Sequence, residues 1–534
     1  MKYVRFLTAV IVISVVARSG HAEPLIADVL LSGGTLIDGT GTAGRPGDVA
    51  IHDGRIVGVG KLQDVEAQWT IDCSGMIVCP GFIDLHNHSD RQVVAAATRS
   101  AMNYVTQGCT TMVTGNCGSG PVDAGKFYDA IDEHGAGTNV AHLLPQGGLR
   151  NAVIGTDLRE PTSDELARML ELTEQAMRDG VWGMSTGLIY VPSSYATTDE
   201  LISIAKVVSA HGGIYASHIR TEGTKLLGAV EEALQIGRRA NLPVHVSHFK
   251  SSGRDAWGLV RRAAEMISAE RKLGRKVTAD QYPYIASSTS LHATLLPSWA
   301  RAGGQAKFLK RLDSDETGPK LREIVATAIE KKSNGDAVRI ARYRPRQDWV
   351  GLSLLAIAER EKRPVIDIAY EIFRAGGAAI VNFSMNEEDV RHIMAIDWVA
   401  TASDGRAYLP GSDRPHPRNY GTFPRKIGYY SLQEGVLPLE QAIRSATGLP
   451  AEILGMTDRG LLKTGLAADV VVFDPKQVKD RATFDDPHQY SQGIQYVFVN
   501  GTPTVVAGAG TGALGGRALR HTTAAATGSS EKAE

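Results

Sequence analysis

Apolar and polar positions follow two different rhythms along the chain. From Val29 to Val59, short apolar runs are broken by Gly33-Gly34 and Asp53-Gly54, a spacing that predicts small antiparallel strands joined by tight turns. The same texture returns in Ala468-Asp469-Val470-Val471-Val472-Phe473 and in Tyr496-Val497-Phe498-Val499-Asn500-Gly501. The simplest arrangement joins both chain ends, residues 23–80 and 451–507, in one small β-sandwich domain, which brings the termini of the central domain together.

Between these ends the rhythm changes. Thr162-Ser163-Asp164-Glu165 and Thr197-Thr198-Asp199-Glu200 are capping boxes, each opening a helix. The second helix stops at Gly212-Gly213, and a strand from Ile214 to Arg220 follows. A helix near Lys225 to Ala240 leads to a strand from Pro243 to Lys250, and another from Ala256 to Leu273 leads to a strand from Lys276 to Tyr284. This regular alternation predicts an α/β fold, a parallel (β/α)8 barrel of the TIM type over residues 81–450. From about residue 297 to 364 a charged, helix-prone stretch breaks the alternation, and it is expected to form an insertion near the barrel mouth. Residues 508–534, rich in Gly, Ala, Thr and Ser, predict a disordered tail.

The N-terminus adds a compartment. Lys2 and Arg5 precede the apolar run Phe6 to Ala17, and Gly20-His21-Ala22 supplies small residues for cleavage. Residues 1–22 therefore read as a secretory signal peptide. The run of about 12 residues is shorter than the roughly 20 that a membrane span needs, so export to a periplasm is expected, with a mature chain free of the membrane. The 534 residues carry 57 basic and 58 acidic side chains, a net charge of −1, which leaves no overall field to gather nucleic acid. A small-molecule partner is expected. Four cysteines are too few for a disulfide scaffold.

Chemistry concentrates where predicted strands end. In Gly81-Phe82-Ile83-Asp84-Leu85-His86-Asn87-His88, residues two apart share a face of an extended segment, so His86 and His88 can direct both imidazoles at one metal ion. Taken alone, the pair equally fits two structural histidines. Two later strands also end in histidine, at His218 and His248. His248 shares its face with Val244 and Val246, whereas His245 points the other way and is expected to be structural. Asp404, in Ala402-Ser403-Asp404-Gly405, would be a turn residue if considered by itself; in this company it is expected to be a metal ligand and general base. Cys117, in Gly115-Asn116-Cys117-Gly118-Ser119-Gly120, is either a buried thiol, a disulfide half or a thiolate close to a metal.

The segments PGFIDLHNHSD, GNCGSG, MSTGLIYVPSSYA, ASHIRTEG, PVHVSHFK, ADQYPYIA, TASDG, HPRNYGTFPR and LAADVVVFDP together resemble the N-acyl-D-amino-acid deacylases (D-aminoacylases) of the amidohydrolase superfamily. The resemblance runs from about Asp28 to Val506. It implies a tight zinc on Cys117, His218 and His248, and a second, weaker metal position at His86, His88 and Asp404. Many binuclear relatives bridge two metals with a carboxylated lysine on the fourth strand, yet no lysine occurs between Lys126 and Lys206. The resemblance further implies substrate contacts at Tyr190, Lys250, Arg418 and Tyr282 or Tyr284, two residues of equal strand parity. The implied reaction is zinc-dependent hydrolysis of the amide bond of N-acyl-D-amino acids, or of dipeptides with a C-terminal D-residue. Two alternatives stand beside it. A cyclic-amide hydrolase of the hydantoinase or dihydroorotase type usually needs the missing lysine, and a non-catalytic exported binding protein has no use for all six donors together.

Overall fold

The computed structural model describes residues 24–522, so the predicted signal peptide lies outside the described residues. Eight parallel strands form the central barrel: β1 (Phe82–Asp84), β2 (Cys109–Thr114), β3 (Asn139–His142, resuming as Leu144–Pro145), β4 (Gly183–Gly187), β5 (Ile214–His218), β6 (Val244–Val246), β7 (Val277–Gln281) and β8 (Val399–Thr401). Each pairs in parallel with the next. The ring closes between β8 and β1, where Asn87 bridges Gly405 and the Asp404 amide donates to the His86 carbonyl at 2.8 Å. Both faces of these strands are covered, which explains their short, nearly unbroken buried runs. Outside them, Leu201, Val208, Val230, Leu234 and Ile267 seal the helices onto the sheet. The Thr162 capping box is formed in full, and the Thr197 side chain caps the following helix from the same position.

Strands from both chain ends hydrogen-bond into one nine-stranded sheet, with Val470–Phe473 lying antiparallel to Ile77–Pro80. The sheet folds back on itself as a sandwich. Strand Val65–Asp72 pairs with Leu25–Leu36, yet its Trp69 ring lies 6.0 Å from Tyr496 and 6.2 Å from Phe498 across a shared apolar core.

Two boundaries differ from expectation. The insertion between β7 and β8 is wider than residues 297–364, because strand Ala286–Ser290 pairs antiparallel with Ala379–Phe383, which in turn pairs with Val338–Arg342. These strands enclose a separate core that includes Leu291, Trp349, Phe373 and Ile380. The strand Ala-Ser-Ser-Thr-Ser carries almost no apolar signal, and only its distant partner makes it a strand. The expected disordered tail is also corrected through Thr522. Ala509–Gly510 extends the sandwich, and residues 516–521 run beside β3 at the bottom of the barrel, with Leu519 N donating to Val140 O at 2.8 Å and the Trp182 indole donating to Leu519 O at 2.6 Å. Polar backbone bonding orders this segment, so its weak apolar pattern gave no sign of it. Residues 523–534 lie outside the described set.

Candidate metal centre

His86 and His88 follow β1, Cys117 follows β2, His218 ends β5, His248 follows β6 and Asp404 follows β8. All six converge at the C-terminal end of the barrel, the end at which parallel barrels assemble sites. Cys117 Sγ lies 3.2 Å from His86 Nε2, 3.5 Å from His218 Nδ1 and 3.6 Å from His248 Nε2. Asp404 Oδ1 lies 3.1 Å from His88 Nε2 and 3.6 Å from His86 Nε2. His86 thus stands between two groups of donors.

Three of the six hold strained backbone. Cys117, His248 and Asp404 have φ of 51°, 36° and 50°, a left-handed conformation that costs a non-glycine residue about 1–3 kcal/mol and persists only where the surroundings enforce it. The enforcement is visible. The Gly115 amide donates to Asp90 Oδ1 at 2.7 Å, and the Gly118 amide bonds Ser185 Oγ at 3.0 Å. A side chain at Gly115 would place its Cβ 2.0 Å from the Leu143 carbonyl oxygen, so glycine alone permits this loop. The His248 amide is held by Asp280 Oδ1 at 2.7 Å.

The electrostatics suit a metal. Burial pushes the Cys117 thiol up, but the charges of His86 and His218 and bonds from His218 and His248 outweigh it and hold the thiol well below its ordinary range. Burial acts against Asp404 in the same way, yet Arg418 and then His88 keep its carboxyl well below the usual carboxylate range. At tetrahedral angles, zinc bonds of about 2.3 Å to sulfur and 2.0 Å to nitrogen set ligand atoms roughly 3.3–3.6 Å apart. The two separations from Cys117 to His218 and His248 match that spacing. The His218–His248 contact, 2.7 Å between Nδ1 and Nε2, is shorter, as for two imidazoles sharing one proton. The donor set therefore fits a zinc ion.

Residues that the sequence did not single out orient these candidate donors. Asp280 accepts from His245 Nε2 at 2.8 Å and from the His248 amide at 2.7 Å and stands 3.5 Å from His86 Nδ1, so one carboxylate touches candidate ligands of both groups. This is also the structural role of His245. Glu222 lies 2.9 Å from His248 Nδ1 and 2.6 Å from Lys250 Nζ. Asp84 accepts from the Ser403 amide at 2.8 Å and from Asn87 Nδ2 at 2.8 Å, tying β1 to the Asp404 turn. A buried acid inside the short strand Val-Thr-Ala-Asp-Gln was the available signal for Asp280.

Of the expected substrate contacts, four gather at the cluster. The Tyr190 ring meets His218 edge-on at 5.1 Å, Lys250 and Arg418 lie 5.4 and 4.9 Å from the Tyr282 ring, and Arg418 Nη1 is 2.9 Å from Asp404 Oδ2. Tyr284 does not join them. Strand β7 ends at Gln281, and the Tyr284 amide turns back to the Tyr282 carbonyl at 3.0 Å, a tight turn that cancels strand parity. Its ring packs instead on His416, Phe484 and Arg425.

Comparison with known proteins agrees with this geometry. The sequence profile of the amidohydrolase family matches residues 70–331 and 356–505. The D-aminoacylase of Alcaligenes xylosoxydans xylosoxydans is 36% identical over 520 residues, covering 93% of this chain and 98% of its own. A crystal structure of a D-aminoacylase superposes with a TM-score of 0.80 at 34% identity, over 93% of this chain and 100% of that one. The N-acyl-D-glutamate deacylase of Bordetella bronchiseptica, solved with zinc and a phosphonate mimic of the tetrahedral intermediate, gives 0.79 at 33% identity over the same shares. The chain belongs to the amidohydrolase family and, within it, to the N-acyl-D-amino-acid deacylases.

Proposed function

We propose that the protein hydrolyses the amide bond of N-acyl-D-amino acids, or of dipeptides ending in a D-residue, with zinc held by Cys117, His218 and His248. The observation that carries this reading is the convergence of one thiol and two imidazoles within 3.6 Å. His86, His88 and Asp404 would form a weaker second position. When bound, zinc supplies polarisation of the amide carbonyl and a lower pKa for the attacking water.

The chain's own residues do the rest. Asp404, kept ionised by Arg418, takes a proton from the attacking water at Oδ1 and returns it to the leaving amine nitrogen. Lys250, Arg418 and the Tyr282 hydroxyl, which is buried without a partner, hold the α-carboxylate. Tyr190 walls the opposite side beside His218. Strand β4, Gly-Met-Ser-Thr-Gly, offers no lysine for a carboxylated bridge, which argues against a cyclic-amide hydrolase. Export to a periplasm belongs to the same proposal and is supported by the Lys2 and Arg5 start and the short apolar run after it.

The test is zinc content together with hydrolysis of N-acetyl-D-methionine and its L enantiomer. We expect one tight zinc per chain and turnover of the D form. Zinc binding with no turnover would point to a binding protein, and preference for a cyclic amide to a hydantoinase-like enzyme.

A further inference from the structure

Arg418 meets Asp404 at 2.9 Å and the Tyr282 ring at 4.9 Å, yet the element that carries it is short. The helix Arg418–Pro424 has seven residues, and no side chain caps its start. A long side chain on so small an element keeps its place only if its backbone is held from outside. His416 supplies that hold. Its Nδ1 accepts from the Arg418 amide at 3.0 Å, and its Nε2 donates to the Ala286 carbonyl at 2.8 Å. An amide only donates and a carbonyl only accepts, so both ring nitrogens have fixed roles and the imidazole is neutral, with its proton on Nε2. Burial and then the Arg418 charge keep it well below the ordinary imidazole range. The ring is buried, and Tyr282, Tyr284 and Phe484 surround it at 6.1, 5.1 and 5.0 Å.

Ala286 opens the first strand of the insertion, and two residues further on the Ser288 carbonyl accepts from Arg418 Nη2 at 3.4 Å. One strand of the insertion therefore holds Arg418 at both ends, its main chain through His416 and its guanidinium directly. The contact continues toward the metal cluster. The His416 carbonyl accepts from Asn419 Nδ2 at 2.7 Å, and Asn419 Oδ1 accepts at 2.8 Å from the amide of Arg406, two residues past Asp404.

We propose that His416 is a positioning residue that fixes Arg418 against the insertion, so that the guanidinium meets the substrate α-carboxylate and Asp404 together. The proposal rests on the deacylase reading above and adds the means by which the insertion sets the carboxylate clamp.

The experiment measures kcat and KM in the wild type, His416→Phe, His416→Asn and His416→Gln, with zinc content and thermal midpoint recorded for each. The substrate is whichever of N-acetyl-D-methionine, N-acetyl-D-glutamate and N-acetyl-D-aspartate the wild type turns over fastest. Phenylalanine keeps a ring but neither bond. Asparagine accepts from an amide two residues on, as Nδ1 does here, whereas glutamine reaches toward the Nε2 position and leaves the Arg418 amide unmet. We expect His416→Phe to raise KM by about tenfold or more at unchanged zinc content, His416→Asn to recover most of that loss and His416→Gln little of it. In an Arg418→Met background, His416→Phe should cost less than about threefold in kcat/KM, because the residue it serves is already gone. An unchanged KM in His416→Phe, a loss confined to kcat, additive losses in the double variant, or equal behaviour of the Asn and Gln variants would each overturn the proposal. If His416→Phe fails to fold or Arg418→Met shows no measurable turnover, the contrast between Asn and Gln decides. A wild type that hydrolyses none of the three substrates would remove the deacylase reading, and this proposal with it.

Discussion

At the bottom of the barrel, residues 516–521 satisfy backbone groups that the strands leave open: Leu519 bonds Val140, His521 N donates to Gly180 O at 2.8 Å, and Trp182 donates to Leu519. At the mouth the opposite holds. His86 Nδ1, His218 Nε2 and the Tyr282 hydroxyl are buried without a hydrogen bond, and three of the six candidate donors have left-handed backbone. Strand β3 pairs with β4 only through Leu144 and Pro145, so the tail supplies ladder partners that β4 does not. Stability is built at one end, and part of it is given up at the other, where polar atoms wait for a metal and substrate.

The sharpest way to break this contrast is at Asp404. Asp404→Ala should fold and keep the tight zinc, yet lose turnover by about 10³-fold or more, within the range ascribed to a positioned acid–base group. Steady-state kinetics with metal analysis would decide it, and retained activity would remove Asp404 as the base.

A buried unpartnered group outside the metal cluster offers the next test. Lys426, in the π-helical segment Arg425–Gln433, has no hydrogen-bond partner for Nζ, and burial alone lowers it from 10.5 to about 7. Between those values the folded lysine binds fewer protons than the unfolded one, so its stability cost grows as pH falls from about 10.5 to 7 and is complete below that. Lys426→Met should raise stability near pH 7 by on the order of 4 kcal/mol. The gain should fade as pH approaches 10. Thermal midpoints measured across that window would show it, and a gain independent of pH would refute a neutral buried lysine.

Smaller effects separate support from chemistry. Asp280→Asn should weaken zinc affinity by about 10–100-fold, as loss of a carboxylate behind metal ligands does, measurable by chelator competition. Trp182→Phe removes one bond to the tail and should cost about 1 kcal/mol of stability, while kcat and zinc content stay unchanged. A fall in kcat there would mean that the two ends are coupled.

Much of this was legible in residues, for identifiable reasons. The barrel showed itself because each helix–strand unit is patterned locally, and the six candidate donors, which the fold brings together, could be picked out because histidines, a cysteine and an acid sit where strands end. Asp280 and Glu222 escaped notice since an acid in a strand or loop gains meaning only from neighbours distant in sequence. Tyr282 and Tyr284 were inseparable by parity, and a three-residue turn beyond the strand parted them. The sheet of the insertion was hidden in Ala286–Ser290, whose polarity suggests loop, and the tail in backbone bonds that no side-chain pattern reports.

X-ray absorption at the zinc edge of the purified enzyme tests the thiolate-bound zinc most directly. We predict one sulfur scatterer at about 2.3 Å with nitrogen or oxygen at about 2.0–2.1 Å, the sulfur being lost in Cys117→Ser. A shell of nitrogen and oxygen alone in the wild type would contradict it.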